Sequence, residues 1–599
     1  MKISPFVVLS CLCSVGTLLP AHAEQPDFGP NVTIFNPSMP IGEIQATVDA
    51  IANQQISNQF GTQRYALLFL PGTYGTPTAP LNFQVGYYTT VAGLGLSPND
   101  VVINGSIDVY NQCLGTNNCI ALVNFWRSLS NLTINVTQPA NIGCKAGEFW
   151  AVSQAAPMRR VHVNGLVTLM DYCSSPSFAS GGFIADSEFD GSTVINGSQQ
   201  QWLVRNSKLD GWSNGVWNQV FSGVVGAPAQ NFPPNATNPN PYTTLASSPV
   251  TREAPFLYVD GDGHYKVFVP SVQRNSAGTT WGGGSTPGSS ISIDDFFIAK
   301  PTDSVQKINS ALAQGQNLLF TPGIYYLDRT IKVKRPGTVV LGLGIPTFVP
   351  NNGDVAMSVA DVPGVKLNGL LFDAGPLNSP VLLQVGTWHA HKSNPDDPTL
   401  LSDVFFRIGG AAAGKATVSL VVNSDDVILD DIWAWRADHG TGVGWTDNTA
   451  DTGLIVNGDN VTAYGLFVEH YQKYGVVWNG DGGTEIFFQN EMPYDPPSQA
   501  DWTEAPGVEG WAAFKVAKSV TSFRGYGMGS YSFFNQGVPI FAANAFEVPV
   551  TLPSSSLNDL LTIFLSTAGF GGILNVVNGT GGPSTTANHD VPVTVVSYP

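Results

Sequence analysis

Charge is scarce in this chain. Only 12% of its 599 residues are Asp, Glu, Lys or Arg, and 26 of them are basic, which leaves a net charge of −18. Ordinary soluble domains carry about twice that share of charge. The shortage of Lys and Arg excludes nucleic acid as a partner, because gripping a phosphate backbone needs a basic surface that displaces counterions. It also disfavours polyanionic glycans such as pectate or alginate, and leaves a neutral polysaccharide as the best-fitting substrate.

Long apolar runs are also missing. After the N-terminus no run reaches the roughly 20 residues that a membrane-spanning helix needs. The N-terminal run itself is short. Lys2, the apolar stretch Phe6–Cys13 and the small-x-small site Ala21-His22-Ala23 read as a secretory signal over residues 1–23. The expected destination is extracellular or periplasmic. Cysteine is sparse, at 6, and removing the leader takes Cys11 and Cys13 with it. The four that remain, Cys113, Cys119, Cys144 and Cys173, are an even number in an exported chain, so two disulfides are expected, Cys113–Cys119 and Cys144–Cys173. No Cys-x-x-Cys, phosphate-binding loop or nucleophile elbow occurs. Asp260-Gly261-Asp262-Gly263 looks like half a calcium loop, but Ser271 stands where the twelfth-position Glu belongs, and a β-turn is the better reading. Neither a metal nor a cofactor is expected.

Glycine, with 64 residues, and short runs of β-formers are what the chain has in quantity. The runs end in Asn, Asp or Gly: Val101-Val102-Ile103-Asn104-Gly105, Val365-Lys366-Leu367-Asn368-Gly369, Val427-Ile428-Leu429-Asp430-Asp431, Leu454-Ile455-Val456-Asn457-Gly458. Such runs, recurring every coil, mark a parallel β-helix. The pattern is duplicated. Leu67–Tyr74, with its Pro71-Gly72-Thr73-Tyr74, recurs as Leu318–Tyr325, and Gly93-Leu94-Gly95 as Gly342-Leu343-Gly344. One helix-like segment precedes each copy, over Ile41–Ile51 and over Ser304–Leu312 with Asp303 or Ser304 as its cap. A helix there plugs the open strand edges at the end of a solenoid. The fold class is therefore all-β, with two tandem right-handed parallel β-helices, each carrying an N-terminal capping helix. The boundaries are 24–290 and 291–599, with the Gly/Ser-rich stretch from Ser276 to Ser292 as linker.

Two acidic motifs stand out in the second copy: Val468-Glu469-His470, and Gln489-Asn490-Glu491-Met492-Pro493-Tyr494. Twenty-two residues separate the carboxylates, close to one coil, which would stack them on one face. Phe487, Phe488, Met492, Pro493 and Tyr494 would desolvate Glu491, and desolvation favours the protonated form that a general acid needs.

The chain resembles glycoside hydrolase family 55, the secreted β-1,3-glucanases built on two pectate-lyase-like β-helices. The likeness rests on Ser180-Gly181-Gly182-Phe183, on Gln199-Gln200-Gln201-Trp202, on Trp433-Ala434-Trp435-Arg436-Ala437-Asp438-His439, and on the two acidic motifs. The resemblance implies an inverting glycosidase with Glu491 as acid and Glu469 as the second carboxylate. It implies that Gln154 and Ser180, from the first β-helix, hold the attacking water, so that the cleft lies between the two solenoids. Asp438, His439 and His470 are then candidate sugar contacts. Trp433, Trp435, Trp445, Trp478 and Tyr494 are candidate stacking platforms. A monomer acting on β-glucan is expected. Two other readings use the same fold: a polysaccharide lyase, which would need a basic residue at its centre, and a non-catalytic carbohydrate-binding or adhesin β-helix.

Overall fold

The computed structural model describes residues 25–116, 118–137, 147–172, 179–197, 199–213 and 217–599, together with Met1. The expected leader, Cys144 and Cys173 lie outside them. Among the described residues two α-helices occur, α1 (Ile41–Gln55) and α2 (Val305–Ala313), and nearly all other regular structure is strand.

The strands form two parallel stacks. In the first, Val32–Phe35, Tyr65–Phe69, Thr89–Gly93, Arg127–Val136, Met158–Asn164, Ala179–Ala185, Gln199–Arg205, Asn218–Ser222 and Thr243–Leu245 pair in order. In the second, Phe296–Ala299 begins a stack that continues through Lys366–Asp373, Leu400–Ile408, Ile428–Arg436, Thr462–Glu469, Gly483–Glu491, Phe523–Ser532 and Leu557–Phe564. A separate parallel sheet, from Ile331–Val333 to Phe546–Glu547, supplies the opposite wall of each coil. The fold is two pectate-lyase-like β-helices in tandem. Val593–Tyr598 pairs antiparallel with Leu557–Phe564 at the far end of the second stack.

The helices cap as the pattern demands. Ile44, Val48 and Ala52 of α1 and Val305, Ile308 and Leu312 of α2 are buried on the first coils. Ser304 caps α2 by accepting from the Lys307 amide at 3.2 Å. Asn309 of α2 accepts from the Lys332 backbone N–H at 2.8 Å and donates to the Thr330 carbonyl at 2.9 Å, so the helix satisfies strand groups that would otherwise stand open.

The stretch 276–292 is not a free linker. Gly288–Ser292 pairs antiparallel with Tyr265–Pro270, which pairs with Phe256–Val259, so a small sheet joins the two stacks. Trp281 is buried, its Nε1 donating to the Asp186 carbonyl at 2.7 Å. Composition alone missed this, because the fixing contacts come from a distant coil. Asp260–Gly263 is the turn of this hairpin, with Asp260 Oδ1 accepting from the amides of Asp262 and His264.

Each long strand of the second stack bends at one residue with left-handed backbone. Gly369, Asp403, Asp431, Gly465, Phe487, Gly527 and Asp559 form this column, with φ between 52° and 72°. At two of these positions glycine lets the first β-helix approach closely. A Cβ on Gly527 would stand 2.3 Å from Val220 of the first β-helix, and one on Gly465 would stand 3.1 Å from Phe183. Beyond the bend, side chains alternate. Ile432, Ala434, Leu466, Val468 and Phe488 point into the solenoid core. Trp433, Trp435 and Phe467 point out, against Phe125, Trp126, Phe183 and Leu203 of the first β-helix. Buried ion pairs reinforce this contact: Arg159 bonds Asp403 and Asp430, and Arg205 bonds Asp430 and Glu253.

Candidate active site

The outward row of the second β-helix carries the acidic residues. Trp435 pairs with Glu469, Glu469 with Glu491, and Glu491 with Tyr531 on successive coils. The alternation that buries Val468 and Phe488 therefore turns both carboxyls toward the first β-helix. His470 ends its strand with φ 65°, and its backbone N–H donates to the Glu491 carbonyl at 2.8 Å.

Gln154 and Ser180 meet this row from the other side. Ser153 Oγ donates to the Ala121 carbonyl and accepts from the Ser180 amide at 3.1 Å, which fixes the two coils relative to each other. Ser180 Oγ then donates to Gln154 Oε1 at 2.6 Å, and Gln154 Nε2 donates to Glu469 Oε1 at 2.7 Å. Trp433 Nε1 donates to the other oxygen of Glu469 at 2.8 Å. Trp433 is fully buried; it is a hydrogen-bond donor beneath the site, not a sugar platform.

These groups open on a cleft of about 550 Å³ between the solenoids. Gln154, Ser180, Trp435, Asp438, His439, Glu469, His470, Glu491 and Tyr494 all line it. Tyr494 donates its hydroxyl to Glu491 Oε2, and its ring packs edge-on against His470 at 4.5 Å. His470 Nε2 lies 3.7 Å from the same carboxylate oxygen. Asp438 Oδ1 and His439 Nδ1 are 2.8 Å apart, and His439 Nε2 is 2.7 Å from Gln59 Nε2 of the loop after α1. Phe60 of that loop lies parallel to Trp435, with centroids 6.4 Å apart.

Two expected platforms are elsewhere. Trp478 is wholly buried inside the second solenoid, 6.0 Å from Phe514 and edge-on to Phe523. It is a core residue, because its strand belongs to the opposite wall of the coil. Trp445 packs on the same core under the Arg436 guanidinium, outside the cleft. Conversely, Gln200, Trp217 and Phe533 line the cleft without having been expected there. Gln200 stands one coil beyond Ser180, since Gly181 pairs with Gln201, so counting coil lengths forward from Ser180 would have found it. Nothing in the sequence marks Trp217 or Phe533.

The electrostatics separate the two carboxyls. Burial, and then the charge of Glu491, push Glu469 well above the usual range, against the hydrogen bond from Trp433. Burial also raises Glu491, while His470 and the Tyr494 hydroxyl pull it back. Carboxyls at register-paired positions on adjacent coils disfavour ionising together. Both oxygens of Glu469 already receive an N–H, which favours its ionised form, so the proton belongs on Glu491. At Asp438, on the solvent-exposed side of the cleft, partial desolvation raises the carboxyl, but the His439 hydrogen bond and the nearby His470 hold it below the usual range. A buried acid, an ionised carboxylate beside it and a Gln–Ser pair opposite can donate a proton and hold a water in one pocket.

The chain is similar to known proteins over nearly its whole length. The LAM55 pectate lyase-like domain model matches residues 296–491, a span that ends on Glu491. An exo-beta-1,3-glucanase from Streptomyces sp. (strain SirexAA-E / ActE) is 50% identical over 584 residues, 97% of this chain and 92% of that protein. The solved structure of sacteLam55A from Streptomyces sp. SirexAA-E superposes with a TM-score of 0.88 at 49% identity, covering 96% of this chain and 99% of that one. A variant of sacteLam55A in complex with glucose matches equally well, with the same TM-score and coverage. Sequence identity at this level across both solenoids shows that the chain belongs to glycoside hydrolase family 55.

Proposed function

We propose that this chain is an exported β-1,3-glucanase that releases sugar from the end of a glucan chain with inversion at the anomeric carbon. The observation that carries this reading is the register pairing of Glu469 with Glu491 opposite Gln154 and Ser180. Glu491 protonates the leaving glycosidic oxygen as the bond from C1 breaks. A water held by Ser180 and Gln154 forms the new bond to C1 and releases its proton to solvent, while the ionised Glu469 fixes Gln154 by accepting from its Nε2. Tyr494 offers a ring to sugar and Trp435, stacked between Phe60 and Trp433, only an edge, while Asp438 offers an ionised acceptor for a hydroxyl. The similar Streptomyces protein is named an exo-beta-1,3-glucanase, which supports both the linkage and the chain-end mode. Among the described residues lining the cleft there is no Lys or Arg, which argues against a lyase that must neutralise a uronate.

The test is hydrolysis of laminarin by purified protein, followed by proton NMR from the first minutes. Glucose appearing first as the α-anomer is the expected result. Early β-anomer would overturn inversion, a ladder of oligosaccharides would overturn chain-end action, and no sugar from any neutral glucan would overturn the reaction.

A further inference from the structure

Arg436 lies between two cleft residues, Trp435 and Asp438, yet its side chain turns away from the cleft and is 1% exposed. All five of its N–H groups are used. Nε donates to the Asn448 carbonyl at 2.9 Å. One Nη donates to the His470 carbonyl at 3.3 Å and to Asp495 Oδ1 at 2.8 Å. The other donates to the Gly444 carbonyl at 3.0 Å and to Asp495 Oδ2 at 2.8 Å. One guanidinium thus ties three places together: the loop that follows Asp438 and His439, the turn after Glu469, and the segment after Glu491.

Two of these ties bear on the acid. Asp495 follows Tyr494, whose hydroxyl donates to Glu491. The His470 carbonyl belongs to the residue whose ring packs on Tyr494 and approaches Glu491. We propose that Arg436 is a positioning residue for proton donation, holding Tyr494 and His470 against Glu491 through Asp495 and the His470 carbonyl. The inference rests on Glu491 being the acid. Lysine cannot replace this arginine, because an ammonium offers no planar fork for Asp495 and too few donors for the three carbonyls as well.

A brace of the fold and a positioner of the acid predict different kinetics. A substrate with a good leaving group, a 2,4-dinitrophenyl β-glucoside, needs little help from an acid, whereas laminarin needs it fully. Arg436→Lys is expected to lower kcat on laminarin by about 10²-fold, near the lower end for lost general acid catalysis. Its KM should change by less than about twofold, and the aryl glucoside should lose no more than about fivefold. Losing the Tyr494 hydrogen bond, which pulls Glu491 down, should also move the basic limb of kcat/KM to higher pH. Asp495→Asn keeps the shape and loses the charge pair, and should give the same signature. It carries the test if Arg436→Lys does not fold. Glu491→Gln is assayed beside them. If it discriminates between the two substrates while the folded variants lose both equally, Arg436 is only a brace and the inference is overturned with the acid intact. If Glu491→Gln itself loses both equally, the assignment of the acid fails and the inference fails with it.

Discussion

Glu469 and Glu491 are register partners on adjacent coils, but only Glu469 receives an N–H at both oxygens. That asymmetry assigns the proton to Glu491, and it makes the two carboxyls experimentally distinguishable.

Glu491→Gln should lose hydrolysis of laminarin by about 10²- to 10⁴-fold while circular dichroism stays unchanged, since the amide keeps the shape but cannot donate the proton. Turnover of laminarin near the wild-type rate would show the acid is another group.

Glu469→Gln should lower the rate and also move the pH profile. Like charges raise each other's pKa, and the coupling is reciprocal, so removing one charge lets Glu491 ionise earlier. The basic limb, which reports the protonated acid, should shift to lower pH. A lower rate with an unmoved basic limb would mean that Glu469 acts on the water alone.

Gln154→Ala and Ser180→Ala test the first β-helix. Each should reduce kcat on laminarin, and the double variant should cost less than the sum of the two free energies, because the pair is joined by a 2.6 Å hydrogen bond. Full additivity would indicate that the two residues do not hold one water together.

Much of this was legible in the sequence, for one physical reason. In a parallel β-helix the vertical neighbour of a residue is found by counting one coil, so periodic β-runs reveal both the fold and the stacking of Glu469 on Glu491. Which way a side chain points was less legible. Trp433, Trp435 and Trp478 are alike in composition and context, but one bonds Glu469 from below, one faces the cleft and one fills the core. The left-handed bend at Asp431 sets the phase of the alternation, and no local signal separates that Asp from the others that end β-runs. Contacts between the solenoids were invisible for another reason. Gln59 with His439 and Arg159 with Asp430 join segments hundreds of residues apart, with no periodic relation between them.

The interface makes its own prediction. Asp430 is buried and accepts from Arg159 at 2.7 Å and from Arg205 at 2.8 and 2.7 Å. Burial works to raise its carboxyl, but the two guanidiniums hold it below the ordinary value. A lowered pKa adds stability at pH values above the unfolded pKa, and the gain is lost as pH falls through the folded value. At neutral pH, Asp430→Asn should destabilise the fold by about 3–5 kcal/mol, the cost of leaving buried charge uncompensated. Calorimetry should resolve earlier melting of the contact between the solenoids; an unchanged melting profile would show that the pairs are dispensable.

Glu485 makes the last prediction, because it is a charge-capable group with no visible task. It pairs in register with Ala463 and Gly525 and is fully buried, and no side chain donates to either carboxyl oxygen. Ala463 belongs to the core of the second solenoid, so Glu485 points inward. Burial pushes it well above the usual range, against a backbone hydrogen bond from Leu466, and so favours the protonated form in the fold. The unfolded chain ionises the same residue above about pH 4.3. Between that point and the folded pKa the native state binds the extra proton, so stability falls with rising pH, by up to about 1.4 kcal/mol per unit for one such group. Burial acts in the same direction on Asp108, raised to about 6, and on Asp186, raised to about 7. The wild type should therefore be more stable at pH 5 than at pH 8. Glu485→Gln is nearly isosteric and does not titrate. It should unfold at the wild-type urea concentration near pH 4, where both chains carry a neutral side chain at this position, and at a higher concentration than the wild type at pH 8. Parallel pH profiles for the two proteins would mean that water or an unrecognised partner reaches Glu485 and that it ionises within the fold.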